Sequence, residues 1–147
     1  MNGESAGDLA LVTGLYRATN AAVRELDQRL MRDHGITFVQ AVTLLAIDSF
    51  DRPQPHLVAD HLSQQSQTVT GVLDRLERAG HVTRQRDLGD RRAVRLELTD
   101  SGRMLVETVS NSLERHVHDV LHGVKARTRT NLLAELDEVE GSIKASR

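Results

Sequence analysis

Apolar residues recur at alternating steps of three and four positions near the start of the chain, which is the spacing of one face of a helix. This spacing predicts a long helix from Asp8 to about Met31, ended by His34 and Gly35. Its apolar face is formed by Leu9, Val12, Tyr16, Thr19, Val23, Leu26 and Leu30. Such a narrow stripe is typical of a helix that packs lengthwise on another helix.

Three shorter helices are predicted next. The first begins after Thr37, the expected N-cap, and the second follows a breaker cluster at residues 51–55. The third follows a short polar turn, runs from about Ser66 to Ala79 and stops at Gly80. Their inward residues are, in turn, Val39, Val42, Thr43, Leu45 and Ala46; Leu57, Val58 and Leu62; and Val69, Val72, Leu73 and Leu76.

The period of the pattern changes to two residues after Gly80. Alternation over 82–86 and 94–98 predicts two short strands joined by a turn at 87–90. A long helix is expected after Thr99, and a last helix from about residue 128. The apolar positions of these two helices are Val106, Val109, Leu113, Val117, Val120 and Val124, then Leu132, Leu136, Val139 and Ile143.

This order of elements predicts a mainly α fold with a small β-hairpin wing, the winged helix-turn-helix. In that fold, the second helix of a pair joined by a tight turn enters the major groove of duplex DNA. We predict that residues 35–98 form the DNA-binding lobe. Residues 1–34 and 99–147 are predicted to form a helical dimerisation region, because one lobe of this size could hardly cover their apolar stripes.

The outward positions of the expected recognition helix and its N-terminal end carry polar groups that suit base edges and phosphates. The hairpin is rich in arginine, which suits a neighbouring minor groove. Asp90 is expected to hold one of these arginines in a bidentate pair. The predicted DNA-binding residues are Gln64, Ser66, Gln67, Thr70, Arg75, Arg84, Arg86, Asp90, Arg91 and Arg92.

The stretch from Leu62 to Arg103 resembles the MarR family of winged helix-turn-helix transcription regulators. The matching elements are the Val69–Thr70 pair, DRLE at 74–77, a basic first strand, D-x-R at 90–92, L-T-x-x-G at 98–102 and, further upstream, Thr37-x-x-Gln40. His81 departs from the pattern, because the family usually has an aliphatic residue there. The resemblance covers nearly the whole chain and is most specific from Val69 to Gly102.

The resemblance implies a homodimer in which the first helix and the last two helices of each chain interlock. The two winged lobes would then straddle a pseudo-palindromic operator. It also implies repression that is relieved by a small-molecule effector bound between the dimer arm and the DNA-binding lobe. By family position, and because aromatic residues are rare in this chain, Tyr16, Arg17, Phe38 and Phe50 are the candidates for the effector pocket.

The composition of the chain limits which further classes of function and site are possible. The net charge of −2 requires any DNA-binding surface to be a local patch. The absence of cysteine excludes disulfides and thiolate metal sites. No apolar run reaches the ~18 residues of a membrane span, and no signal-peptide core follows the polar start, so we predict a cytoplasmic protein without membrane contact. Without a phosphate-binding glycine loop or a nucleophile motif, we predict no enzyme activity and no cofactor.

Two alternatives remain open. His118 and His122 are four residues apart on the expected helix, and such a pair binds zinc when a third ligand is supplied, for example by His34 or His116. A zinc-responsive regulator of the same fold is therefore one alternative, although the pair flanks an apolar stripe and we expect no metal site. The other is a dimeric adaptor without DNA binding, which predicts an eroded wing, whereas this wing is intact.

Overall fold

The computed structural model describes residues 3–90 and 92–147, with side chains from residue 7 onward. This part of the chain forms six helices and one two-stranded antiparallel sheet. In chain order they are α1 (Gly3–His34), α2 (Phe38–Ser49), α3 (Pro55–His61), α4 (Ser66–Arg78), β1 (Val82–Arg86), β2 (Val94–Leu98), α5 (Asp100–Val120) and α6 (Ala126–Ala145). The mainly α fold class with a hairpin wing is confirmed.

Capping groups explain where the central elements begin and end. The Thr37 hydroxyl accepts from the backbone N–H of Gln40 at 3.2 Å, and the Gln40 side chain accepts from the Thr37 N–H at 2.8 Å. This reciprocal capping box starts α2. Gly35 and Gly80 follow α1 and α4 with φ angles of 68° and 84°, the left-handed conformation that suits glycine at a helix end.

Two apolar clusters form the interior. The larger cluster joins α2, α3, α4 and the hairpin to the start of α5, and the buried stripe predicted on α4 belongs to it. The smaller cluster joins α1, α2 and α5, with Leu30 and Val109 at its centre. Because α2 and α5 contribute to both clusters, the division of the chain at residues 35 and 99 stays a prediction.

Three details of the predicted pattern are wrong. Leu57 is 39% exposed, because the two-turn helix α3 buries only the narrow face that carries Val58 and Ala59. In α2, Thr43 and Ala46 are buried as predicted, but the other buried residues are Ala41, Leu44 and Ile47, which were not predicted. Neighbouring elements contact this helix on several sides. Helix α5 ends at Val120 rather than near Val124, in a turn that contains the helix-breaking Gly123.

The two ends of the chain leave apolar side chains in solvent. Helix α6 has no buried residue, and in α1 every residue from 7 to 21 is exposed except the half-buried Leu15. The largest exposed apolar side chains of these two helices are Leu9, Leu11, Val12, Tyr16, Met31, Leu132, Leu133, Leu136 and Ile143. Even so, none of the described helices has the length and apolarity needed to cross a membrane.

Candidate nucleic-acid interface

A tight turn joins α3 to α4 and fixes their relative direction. Ser63 has a φ of 51°, so the chain reverses at this residue. The backbone N–H of Gln64 donates to the Ala59 carbonyl at 2.9 Å, and that of Ser63 donates to the Asp60 carbonyl at 3.2 Å. The pair of helices joined by this turn, followed by the hairpin, is the arrangement predicted from the sequence.

The outward face of α4 is polar and open to solvent. All five predicted contact residues before the wing are exposed: Gln64, Ser66, Gln67, Thr70 and Arg75. The Thr70 hydroxyl donates to the Ser66 carbonyl at 2.9 Å. At the N-terminus, the N-cap Gln65 makes no side-chain capping bond in the described part of the chain. The first backbone N–H groups of α4 are therefore able to donate to a phosphate.

The tip of the wing is shaped by two aspartates. Asp87 accepts from the Gly89 backbone N–H at 3.0 Å, and Asp90 accepts from the Arg92 backbone N–H at 3.0 Å. Asp90 thus folds the turn through the backbone of Arg92, and its expected bidentate pair with an arginine side chain stays a prediction. The predicted contact residue Arg91 lies outside the described residues.

The wing arginines fall into two groups. Arg86 and Arg92 are exposed. Arg84 and Arg95 are bound within the chain, because Arg84 Nη2 donates to Asp74 Oδ1 at 2.8 Å and Arg95 Nε donates to Asp87 Oδ2 at 3.0 Å. The Gly89 backbone N–H and the Arg95 guanidinium hold the pKa of Asp87 below its usual range.

The loop before α3 supports the wing, a role that the sequence pattern did not reveal. The Leu96 N–H of β2 donates to the Pro53 carbonyl at 2.9 Å. Arg52, which has a φ of 47°, forms an ion pair with Glu97 at 2.7 Å. Two prolines and a polar composition marked this segment only as a loop; its contacts with β2 depend on the tertiary fold.

The four candidates for the effector pocket lie on two elements, with Tyr16 and Arg17 adjacent on α1 and Phe38 and Phe50 at the two ends of α2. Tyr16 is 69% exposed on α1, and Arg17 borders a shallow hollow on the same helix. Phe38 is half-buried against the α1–α5 cluster. Phe50 packs edge-to-face on His61, with ring centroids 5.2 Å apart. Their role in effector binding stays a prediction.

A cavity of about 450 Å³ lies between α2, the outer side of α5 and the start of α6. Its walls are Leu45, Leu113, Val117 and Leu121, with the polar Ser110, Glu114, His118 and Arg129. The sequence prediction missed this cavity, because its apolar residues belong to stripes that look like ordinary helix core. An apolar hollow with a few polar groups is the usual form of a small-molecule site.

The predicted histidine pair is divided between α5 and the turn that follows it. His122 lies past the end of α5, so it does not follow His118 by one turn of the same helix. His116 lies within the α1–α5 joint, where its Nε2 donates to Asp33 Oδ2 at 2.7 Å. Hydrogen bonds from Arg32 and His116 lower the pKa of Asp33 to about 2. In the described ranges, no three metal-binding side chains converge.

Comparison with known proteins agrees with this geometry. A family model described as the MarR family matches residues 34–93, from the end of α1 to the wing. The HTH-type transcriptional regulator PecS of Dickeya dadantii (strain 3937) is 36% identical over 86 residues, which are 58% of this chain and 52% of PecS. Over residues 34–93 the chain is therefore similar to the MarR family.

Two solved structures match most of the chain. The transcriptional regulator BldR from Sulfolobus solfataricus matches with a TM-score of 0.84 at 24% identity, over 97% of this chain and 99% of BldR. Bordetella bronchiseptica BpsR, whose DNA binding is regulated by 6-hydroxynicotinic acid, matches with a TM-score of 0.78 at 26% identity, over 86% and 89%. The chain spans about half the length of the curated relatives it matches.

Proposed function

We propose that this chain is a transcription regulator of the MarR family that binds duplex DNA as a homodimer. Helix α4 enters the major groove, and the tip of the wing enters the adjoining minor groove. The observation that carries the proposal is the position of the polar, exposed face of α4 beside a hairpin whose tip exposes Arg92. The name of PecS and the DNA binding of BpsR support the same function.

The residues divide by the part of DNA that their chemistry suits. The polar side chains that suit base edges lie in the turn before α4 and in the exposed N-terminal part of α4; they are Gln64, Ser66, Gln67 and Thr70. Arg75, Arg86, Arg91 and Arg92 suit phosphates and the minor groove, because a guanidinium is always charged. Glutamine and threonine then set which sequence is preferred, while the arginines set the affinity for any sequence.

Replacing Arg92 with alanine is expected to weaken DNA binding and to reduce its dependence on salt. Each lost phosphate contact lowers the slope of log K against log salt by about 0.9, so loss from both wings of a dimer lowers it by about 1.8. The measurement is fluorescence anisotropy over a salt series, on an operator fragment that the wild-type protein selects from genomic DNA.

The matched control for this experiment is Gln67→Ala. It should leave the salt slope unchanged and should change the preference at one base pair by about 1–3 kcal/mol. Wild-type affinity and salt slope in Arg92→Ala would refute the contact assigned to the wing tip. Selection of no genomic DNA by the wild-type protein would refute the proposed function itself and leave the dimeric adaptor.

We also propose that the regulator is a repressor whose DNA binding responds to a small organic effector held in the cavity between α2, α5 and α6. Leu45 belongs to the lobe and Val117 to the long helix α5, so an occupant contacts both sides of their joint. The apolar walls suit a hydrocarbon or aromatic body, and His118 and Arg129 suit an acidic group. The aromatic acid that regulates BpsR supports this class of effector.

Filling the cavity with Val117→Trp is expected to abolish effector binding and to leave operator affinity within about twofold. A panel of aromatic carboxylic acids that includes 6-hydroxynicotinic acid would be screened by the rise in Tm of the wild-type protein. An acid at 100 times its Kd stabilises the folded state by about 2.7 kcal/mol, and the variant should lose this gain. An acid that stabilises both proteins equally binds elsewhere and contradicts the proposed site.

A further inference from the structure

Arg84 connects the wing to the proposed recognition helix. Its Nη2 donates to Asp74 Oδ1 at 2.8 Å, and its Nη1 lies 3.6 Å from Glu77 Oε1. The same Nη2 lies 3.5 Å from the Thr70 carbonyl oxygen. Three acceptors of α4 thus surround one guanidinium from β1, and the Arg84 side chain is only 27% exposed.

The position of Asp74 makes this contact important for DNA binding. Asp74 is exposed on the side of α4 opposite the buried stripe, one turn from Thr70 and two turns from Gln67. A carboxylate on this side meets phosphates of the same charge when the helix enters a groove, and the repulsion grows as water is excluded. A neighbouring guanidinium offsets that repulsion, but a guanidinium bound to Asp74 and Glu77 is poorly placed to contact DNA as well.

We propose that Arg84 is a positioning residue: it holds the wing at a fixed angle to α4 and neutralises Asp74 where the DNA approaches. This inference rests on the proposed DNA-binding function. It assigns Arg84 a role different from that of Arg92, whose exposed side chain at the tip of the wing is free to reach the duplex. In the unbound protein the pair contributes little to stability, because solvent screens a partly exposed ion pair.

A double-mutant cycle on operator affinity tests the pairing. Arg84→Ala should weaken binding at least about tenfold, because it leaves Asp74 and Glu77 unpaired against the phosphates. Asp74→Asn should change the affinity of the wild-type protein by less than about threefold, but should raise that of Arg84→Ala by at least about fivefold, since contacting charges are not additive. Equal effects of Asp74→Asn in both backgrounds would overturn the pairing.

Hydroxyl-radical footprinting of Asp74→Asn separates positioning from direct contact. This variant keeps the Arg84 guanidinium but replaces the charged carboxylate that it binds with a neutral amide. Protection of the flanking minor groove should fall, while protection in the major groove stays. Unchanged protection at the flanks would mean that Arg84 contacts DNA without help from Asp74, against the proposal. Arg29→Ala, which breaks the ion pairs of Arg29 with Glu25 of α1 and Asp119 of α5, is the control and should leave the footprint unchanged.

A measurement on the free protein keeps the inference separate from the proposed function. Hydrogen exchange of the β1 and β2 amides should be faster in Asp74→Asn than in the wild-type protein, because the shortest of the Arg84 contacts with α4 is weakened. If the wild-type protein selects no DNA but the exchange still accelerates, the proposed function fails and the attachment of the wing stands. Identical exchange in both proteins would refute the attachment whether or not DNA binds.

Discussion

Replacing Gly102 with alanine is expected to destabilise the folded chain by at least about 3 kcal/mol. A Cβ at this position would lie 3.0 Å from the His81 carbonyl carbon and would overlap its oxygen. The neighbour is backbone, so no side chain can rotate away. The same site is tied down by Thr99, whose N–H donates to the His81 carbonyl at 3.1 Å and whose hydroxyl donates to the Gly80 carbonyl at 2.6 Å.

Urea denaturation at a fixed protein concentration measures this loss, and Gly71→Ala is the matched control. Gly71 is also helical, and a Cβ there would meet no atom within 4 Å. Its replacement should therefore stabilise α4 by about 0.5–1 kcal/mol, the usual difference between alanine and glycine in a helix. A Gly102→Ala protein as stable as Gly71→Ala would show that α5 does not approach the His81 carbonyl as closely as described.

Gly102 also illustrates what sequence patterns reveal. The L-T-x-x-G motif is part of the resemblance to the MarR family, and Thr99 within it predicts the start of a helix. The reason for glycine could not be predicted, because the His81 carbonyl lies 21 positions earlier and reaches Gly102 only through the folded hairpin. His81 itself, the departure from the family pattern, is half-buried, with its Nδ1 2.9 Å from the Ser101 hydroxyl.

Local signals account for the parts of the fold that were predicted well. The buried stripe of α4, the capping box at Thr37 and the change to period two at the hairpin each depend on residues close together in the chain. Charge pairing is different. In the sequence nothing distinguishes the paired arginines, Arg84 and Arg95, from the exposed Arg86 and Arg92. The tertiary fold brings carboxylates against the first two only. A count of arginines therefore could not identify which of them are exposed.

The cavity proposed to hold an effector could not be predicted from the sequence for a related reason. Its lining combines α2, α5 and the first turn of α6, and Leu113 and Val117 fit the core stripe of α5 equally well. The candidates for the effector pocket were instead chosen partly because aromatic residues such as Tyr16 and Phe50 are rare in this chain. Apolar spacing indicates that a residue faces a neighbouring element, but it does not distinguish a filled contact from a hollow.

Replacing Leu136 with glutamate is expected to dissociate the proposed dimer and to weaken operator binding by about 100-fold or more. Within one chain, Leu136 and Leu132 border an open apolar groove of about 520 Å³ with Leu11 and Leu15 of α1. A second chain that covers this groove removes apolar area from water at about 25 cal/mol per Å². A carboxylate in the groove would have to be buried without a partner, which costs more than the lost contacts alone.

Ala134→Glu is the control, because Ala134 lies on the opposite side of α6 and is exposed. It adds the same charge to the same helix and should leave both the mass in analytical ultracentrifugation and the operator affinity unchanged. Circular dichroism of both variants should match the wild-type protein, since α6 buries no residue within its own chain.

The two measurements on Leu136→Glu must change together if the proposed architecture is right. A two-fold dimer places the two recognition helices about one DNA turn apart, ~34 Å, so the operator is an inverted repeat and the second lobe binds as an intramolecular event. A monomer keeps every contact residue of α4 and the wing, and loses only this second engagement. A monomeric Leu136→Glu protein with full operator affinity would show that one lobe suffices, and a wild-type monomer at micromolar concentration would rule out the dimer.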